Sequence, residues 1–383
     1  MAERRLKKRS KKYNFIQTGK MDIGFFSLLL ILLAIGLVML FSASYAYCYA
    51  QYGNSYLFIS RQAIFAVLGL IVMYAFSKID YHFYRKFSAL IYVVSVILLA
   101  VLLALPPMYE GLDYKRWLVI GPIQFQPSEI AKFAIVLLFS HLIAKNYKKM
   151  GEFKFVAKLV CLLGLVCGLV VVETHLSATI LIFAIGVILM IVGGLAVKYI
   201  FAGLGIGFGA VALFVVTGLV SYASSRITHW IDPWADATGK GYQTIQSLLA
   251  IGSGGLLGRG IGQSRQKYSW LPEPHNDFIF AVVCEELGLI GALVIILLFC
   301  ALVWRGFTIA MHAPDKFGSL LAVGLTFQVA LQAALNIMVV SNTIPNTGIS
   351  LPFFSYGGTA LVILMAEMGI VLSVSRSAKL EKT

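Results

Sequence analysis

The stretch Trp270-Leu-Pro-Glu-Pro-His-Asn-Asp-Phe-Ile-Phe-Ala-Val-Val-Cys-Glu-Glu-Leu-Gly288 decides how this chain is read. Its first half is polar and marked by prolines, and it holds Glu273, His275 and Asp277. Its second half is an apolar run that nonetheless contains Glu285 and Glu286. A carboxylate in hydrocarbon is expensive, so an ionisable residue in a membrane segment is a functional-site candidate whenever water or a cation accompanies it. The composition of the whole chain therefore matters first.

Of the 383 residues, 59% are hydrophobic and 13% are charged, and the mean hydropathy is +0.86. Apolar runs of about 18 residues or more, separated by short polar stretches, predict a polytopic helical membrane protein rather than a soluble domain. The net charge of +14 raises nucleic acid as a partner, and the positions of the 31 Lys and Arg argue against it. Eight lie at the start of the chain: Arg4, Arg5, Lys7, Lys8, Arg9, Lys11, Lys12 and Lys20. That segment lacks the features of a secretory signal. It reads as a basic cytoplasmic tail, residues 1–20, beside anionic lipid. The five cysteines are too scattered for a disulfide framework or a metal cage.

Periodicity and breakers predict an all-α integral membrane protein of ten transmembrane helices. Spans are expected at about 22–43, 58–77, 87–105 and 128–144, a fifth ending near 172, then 180–195, 199–222, 277–304, 317–340 and 359–374. A Tyr-rich loop, 45–56, follows the first span, and Ser128 is expected to cap the fourth. The membrane domain is 21–375, with a large extracytoplasmic loop at 223–276 between the seventh and eighth helices and a short tail at 376–383. With the N-terminus inside, 22 Lys and Arg fall on inner segments and nine outside. Both termini are then cytoplasmic under the positive-inside rule. The outer cations, Arg61, Lys115, Arg116, Lys132, Arg226, Lys240, Arg259, Arg265 and Lys267, suit an anionic ligand at the outer surface, such as a lipid diphosphate.

Spacing leaves several roles open. Asp277, at the mouth of the eighth span, suits a helix-start carboxylate; partial burial would instead make it a general base with a raised pKa. Helical geometry turns Glu285 by about 80° from Asp277 and Glu286 by about 180°, so only Glu285 is expected to share a cavity with it. Glu286 and Glu367 read as helix-to-helix hydrogen bonders. Lys132 lies one turn after Glu129, where an ion pair within the helix and a diphosphate contact compete. The run Ile251-Gly-Ser-Gly-Gly-Leu-Leu-Gly-Arg-Gly-Ile-Gly262 lacks the context of a nucleotide loop and reads as a tight re-entrant turn offering Arg259. Trp230-Ile-Asp-Pro-Trp234 reads as a turn with an interfacial anchor.

Taken together, Arg116-Trp117, Gln126-Pro-Ser-Glu-Ile-Ala-Lys132, Trp230 to Trp234, Leu271 to Phe280, Glu285-Glu-Leu-Gly288 and Pro345 through Ser355-Tyr-Gly-Gly358 resemble the SEDS family of bacterial cell-wall proteins. They occur in the family's order along nearly the whole chain, and Thr347-Gly-Ile-Ser-Leu-Pro352 looks closest to its FtsW and SpoVE branches. The resemblance implies a glycosyltransferase of the bacterial cytoplasmic membrane that polymerises lipid II for division or sporulation. It also implies a class B penicillin-binding protein as partner. Asp277 matches the family's essential aspartate. Arg116, Lys132 and Arg259 are the candidates for the diphosphate. Glu129, Asp232 and His275 are candidates to orient these groups or to hold a divalent cation, which the reaction does not require. Two departures stand out: Asn276 replaces the usual Thr, and Thr174-His175-Leu176-Ser177 replaces Pro-Asp-Leu-Gly, which removes a usual carboxylate. A lipid II flippase is the alternative, with Glu285, Glu286 and Glu367 in its favour. A scaffold activating the penicillin-binding protein is compatible with the enzyme. Polar groups gathered at outer helix ends, rather than along the midplane, favour the polymerase.

Overall fold

The computed structural model describes residues 19–105, 116–120, 123–201, 230–239, 241–268 and 270–378. Among them, eleven α-helices and one hairpin of two short strands carry the architecture. Helix α1 (Ile23–Tyr52) begins where the Asp22 carboxylate accepts Phe25 N–H at 2.7 Å. Helices α2 (Leu57–Lys78), the short α3 (Tyr81–Arg85) and α4 (Ser88–Ala104) follow. Strands β1 (Leu118–Ile120) and β2 (Ile123–Phe125) pair antiparallel, with Leu118 opposite Phe125. Then come α5 (Pro127–Asn146), α6 (Phe153–Val172), α7 (Leu176–Val192), α8 (Tyr242–Gly254), α9 (Ile279–Met311), α10 (Lys316–Val340) and α11 (Gly358–Ser377).

Seven of these helices are long and apolar enough to cross a membrane, and α4 and α7 are shorter apolar helices. The expected seventh span, 199–222, lies outside the described residues beyond position 201, as do tail residues 1–18 and loop residues 223–229, 240 and 269. Helix α1 runs on to Tyr52, so Tyr45, Tyr47 and Tyr49 belong to a helix rather than to the expected loop. No Gly or Pro interrupts the sequence from Tyr45 until Gly53. Ser128 does not cap α5: the helix starts one residue earlier, with Pro127 in its first turn and Gln126 as the preceding residue. Proline suits that position because its missing N–H would have no partner there.

Helices α5, α10 and α11 are the inner ones, with 67%, 61% and 61% of their most apolar stretches buried, against 28% for α2, α6 and α9. Small residues let the inner helices approach closely: Gly324 of α10 faces Val136 of α5, and Gly369 of α11 lies against the Met73 backbone of α2. One end of the bundle is tied by Arg305 on Asp22 at 2.9 Å, by Asp22 N–H on Ser375 Oγ at 3.0 Å, and by Arg376 on the Gly19 carbonyl at 2.7 Å. At that same end Asp315 caps α10 and accepts the Tyr81 hydroxyl.

Helix α9 is broken at Gly288, where φ is 68° and ψ is −170°. The Gly-rich run fills the break. Arg259 and Gly260 N–H donate to the Glu285 and Glu286 carbonyls at 3.0 Å each, and Leu289 and Ile290 N–H reach back to the Gly255 and Leu256 carbonyls at 2.9 and 3.2 Å. A break in a membrane helix persists only where other protein groups satisfy the freed backbone. The backbones approach so closely that a Cβ on Gly258 would land on the Glu286 carbonyl, and one on Gly288 would land on the Gly258 amide.

Gly288→Ala is therefore expected to destabilise the fold by at least ~1–3 kcal/mol, since its backbone region is essentially open to glycine alone. Gly252→Ala, with open space around its Cβ, is expected to leave stability unchanged or slightly raised. Thermal denaturation in detergent compares the two; equal midpoints would show that the break tolerates a side chain.

Candidate functional site

Asp277 stands two residues before α9. It is not the helix cap: Phe278 occupies that position, and no side chain caps the helix there. Ala281 N–H turns to the Phe278 carbonyl at 3.0 Å, which leaves the Asp277 carbonyl to Asn336 Nδ2 at 2.7 Å. Because residues 270–278 are not helical, helical rotation does not relate Asp277 to Glu285.

The segment between α10 and α11 closes around Asp277. Its carboxylate lies against Gly348, where a Cβ would stand 3.1 Å from Oδ2. Gly348 has φ 67°, so a side chain there would both strain the backbone and crowd the carboxylate. Ser355 Oγ donates to the Asn276 carbonyl at 2.8 Å and accepts Leu351 N–H at 2.7 Å. Tyr356 N–H donates to the His275 carbonyl at 2.9 Å. Gln62 of α2 holds the far side, with Nε2 on the Ser355 carbonyl and Oε1 accepting Gly357 N–H.

Asp277 is half-buried, and its pKa is pushed up to about 6. Burial is the largest cause, and the Glu273 carboxylate adds to it, while the Arg116 guanidinium pulls the other way. Such a group is ionised at neutral pH and is a better proton acceptor than an ordinary aspartate. Arg116 is placed by its bond to the Thr174 carbonyl at 2.8 Å, a residue in left-handed conformation at φ 57°. It thus stands at the corner between α6 and α7, within electrostatic reach of Asp277.

Lys132 is buried in α5. It pairs with Glu129 at 2.8 Å and donates to Gln332 Oε1 of α10 at 3.1 Å. Both cations depress the pKa of His175 to about 3, after burial, which is the largest cause. His175 is therefore neutral at pH 7, and it faces Gln126 Nε2 at 3.1 Å from its Nδ1. Glu173, a buried carboxyl next to that corner, is pushed up to about 8 by burial. Beside the missing aspartate, the protein thus carries a carboxyl that is protonated at neutral pH.

The side chains of His275 and Asp232 have partners of their own. His275 packs against the rings of Tyr47, Phe58 and Tyr356 with centroids 4.8, 4.9 and 6.2 Å away. Burial lowers its pKa to about 4, so it is uncharged at neutral pH. Asp232 caps its own turn by accepting Trp234 N–H at 3.1 Å.

Arg259 lies 3.6 Å from Glu285, ~9 Å along α9 from its first residue, so it belongs to the helix break. Glu285 also accepts Ser264 Oγ at 2.5 Å and the Arg265 N–H at 2.9 Å. The expectation that it shares a cavity with Asp277 fails, because the loop after the Gly-rich run takes up its carboxylate. Glu286 accepts Ser42 Oγ at 2.7 Å, Lys267 Nζ at 2.8 Å and Gly262 N–H at 3.0 Å. Glu367 accepts Gln328 Nε2 at 2.8 Å. Among the described residues, no cluster of three or more His, Cys, Asp or Glu could hold a metal ion.

Reasoning from the sequence passed over Asn336, Gln332 and Gln328. Their four-residue spacing inside an apolar span put three amides on one helix face, and that was the available signal.

A family model described as cell cycle protein, covering FtsW, RodA and SpoVE, matches residues 23–380. Stage V sporulation protein E of Bacillus subtilis (strain 168) is 39% identical over 355 residues, spanning 91% of this chain and 95% of that one. A probable peptidoglycan glycosyltransferase FtsW of Geobacter sp. (strain M18) is 36% identical over 351 residues, 90% of this chain and 94% of its own. A solved structure described as "Structural coordination of polymerization and crosslinking by a peptidoglycan synthase complex" aligns with a TM-score of 0.78 at 27% identity. It covers 93% of this chain and 98% of the other. The crystal structure of Thermus thermophilus rod shape determining protein RodA aligns with a TM-score of 0.68 at 26% identity, over 94% and 98% of the two chains.

The Lys267–Glu286 pair offers a direct check on the loop at the helix break. Both side chains are almost wholly buried, so Lys267→Met should cost ~3–5 kcal/mol by stranding a carboxylate. Lys267→Met with Glu286→Gln should recover most of it. Thermal stability of the purified variants measures both, and a single variant as stable as the wild type would mean that Lys267 does not hold the loop on Glu286.

Proposed function

The chain belongs to the FtsW, RodA and SpoVE family of cell cycle proteins, and from that premise we propose that Asp277 is the general base of a peptidoglycan glycosyltransferase. The protein is a multi-pass bacterial membrane enzyme that polymerises lipid II for division or sporulation. The observation that carries the site assignment is Asp277 itself: a half-buried carboxylate outside the membrane helix, raised to about 6, facing the non-helical segment after α10.

The reaction needs little else. The 4-hydroxyl of an acceptor GlcNAc attacks C1 of the donor MurNAc, and its proton passes to Asp277. The C1–oxygen bond to undecaprenyl diphosphate breaks, the configuration at C1 inverts, and the diphosphate leaves with the bonding electrons. Arg116 and Lys132 are the cations proposed to meet the negative charge that develops on the leaving group. Lys132 is already desolvated and held between Glu129 and Gln332. An anion arriving beside it would replace or share those partners. Arg116 supplies a planar fork suited to phosphate oxygens. Glu129 orients Lys132, and no divalent cation is required. The hairpin, the corner at residues 173–175 and Asp277 are placed on the outer face of the bundle, as the distribution of Lys and Arg suggests.

Transport of the same lipid gains no support from the buried glutamates. Glu285 and Glu286 are taken up by the loop at 259–267, while Glu367 holds Gln328 through Oε2 alone. The bonds of Glu285 and Glu286 close the helix break instead of lining a path. The structural neighbour is a synthase complex that couples polymerisation to crosslinking. A class B penicillin-binding protein is accordingly the proposed partner.

Purified protein with its co-expressed penicillin-binding partner, which lacks glycosyltransferase activity of its own, should polymerise lipid II, and Asp277→Asn and Asp277→Ala should make no glycan. The wild-type rate should fall as pH drops through about 6, because the base must be deprotonated to act and its pKa is raised to that value. Polymerisation by either folded variant would reduce Asp277 to a structural residue.

A further inference from the structure

We propose that Asn336 and Gln332 of α10 are positioning residues that set the distance between Asp277 and Lys132; this rests on the roles assigned to those two groups above. An amide NH2 has two hydrogens, and Asn336 spends one on the Asp277 carbonyl at 2.7 Å and the other on the Ile349 carbonyl at 2.6 Å. One turn earlier on the same face, ~6 Å along the axis, Gln332 repeats the pattern. Its Nε2 donates to Ser350, to the carbonyl at 3.1 Å and to Oγ at 3.2 Å, while its Oε1 accepts Lys132 Nζ at 3.1 Å. Adjacent carbonyls of the 341–357 segment are thus held by adjacent rungs of one helix. Each rung also extends to one of the two reacting groups.

Support of the segment alone would need only the bonds to residues 349 and 350. The further bonds reach the backbone of the base and the side chain of the cation, on α9's approach and on α5. All three anchors are deep: Asn336 is 0% exposed, Gln332 8% and Lys132 1%. Without Asn336 the turn before α9 loses its tie to α10, since Asp277's carbonyl makes no helical bond. Without Gln332 the flexible Lys132 ammonium is left to Glu129, the carboxylate 2.8 Å away. A displacement of about 1 Å at a reacting group costs as much as 100-fold in rate, so the rigidity of α10 matters to the chemistry. The two residues touch no sugar and transfer no proton.

The two variants should fail differently. In the polymerisation assay with the co-expressed partner, Asn336→Ala should lower kcat by ~10- to 100-fold with KM for lipid II nearly unchanged. Its acidic limb should also move to lower pH, because the loosened turn admits water to Asp277; Glu273 on its own segment and Arg116, two residues before β1, still face it. Gln332→Ala should raise KM by ~10-fold and leave that limb where it is. Rates are normalised to protein that elutes as a single species in detergent. Asn336→Ser, which keeps one donor, takes the place of the alanine variant where that does not accumulate. Wild-type kcat and pH limb in a folded Asn336 variant would overturn the proposal, as would equal kcat losses in both variants with no shift in KM or limb. Asp277→Asn, run alongside, separates the two ideas: activity there defeats the general-base assignment, whereas its loss with an unaffected Asn336 variant defeats only the positioning role.

Discussion

Inside an apolar bundle every backbone group released from a helix must find a partner in the protein, because hydrocarbon offers none. Two segments of this chain leave helical geometry at depth, and the structure is organised around satisfying them. At Gly288 the carbonyls of Glu285 and Glu286 and the amides of Leu289 and Ile290 are met by residues 255–260. Between α10 and α11, the carbonyls of Ile349, Ser350 and Ser355 are met by Asn336, Gln332 and Gln62. Several polar side chains within the spans are thus partners of broken backbone.

The same constraint decides which charges survive. The Glu286 carboxylate is surrounded by Lys267, Ser42 and the amides of Gly262 and Ser264. A buried pair built this way contributes little net stability, yet breaking it strands a carboxylate. Glu173 shows the opposite outcome: burial without a cation raises it to about 8 and leaves it protonated. Asp277 lies between these extremes. It is partly shielded, weakly helped by Arg116 and opposed by Glu273, and its pKa comes to rest near neutrality, where a base for a sugar hydroxyl is useful. The charged clasp of Asp22, Arg305 and Arg376 ties the bundle near both ends of the described chain.

Much of this was legible in the residues. Long apolar runs, the excess of Lys and Arg on alternate loops and the polar approach to Phe278 announced a polytopic helical protein with its chemistry at helix ends. The motifs from Arg116 to Gly358 pointed to the family. Local spacing misled where it assumed that a helix was continuous. Asp277 looked like a helix cap and Glu285 like its neighbour, but the helix starts at Ile279, and the carboxylates beyond it turn to the loop at 259–267. Arg259 read as a diphosphate ligand because it is a cation in a glycine-rich turn; the turn proved to be the patch over the break.

By itself the sequence determined the class of protein and the positions of most helices among the described residues, because hydropathy and helix breakers are local properties that survive without knowledge of neighbours. Only the tertiary structure decided which apolar faces turn inward, since lipid-facing and helix-facing residues are equally apolar. It alone placed α5, α10 and α11 at the centre and brought Lys132 to Gln332 across 200 residues. It also gave Asn336 to Asp277 across 59 residues. Hydrogen bonds between distant segments depend on how helices pack, and packing is a property of pairs of surfaces that no single stretch of chain encodes.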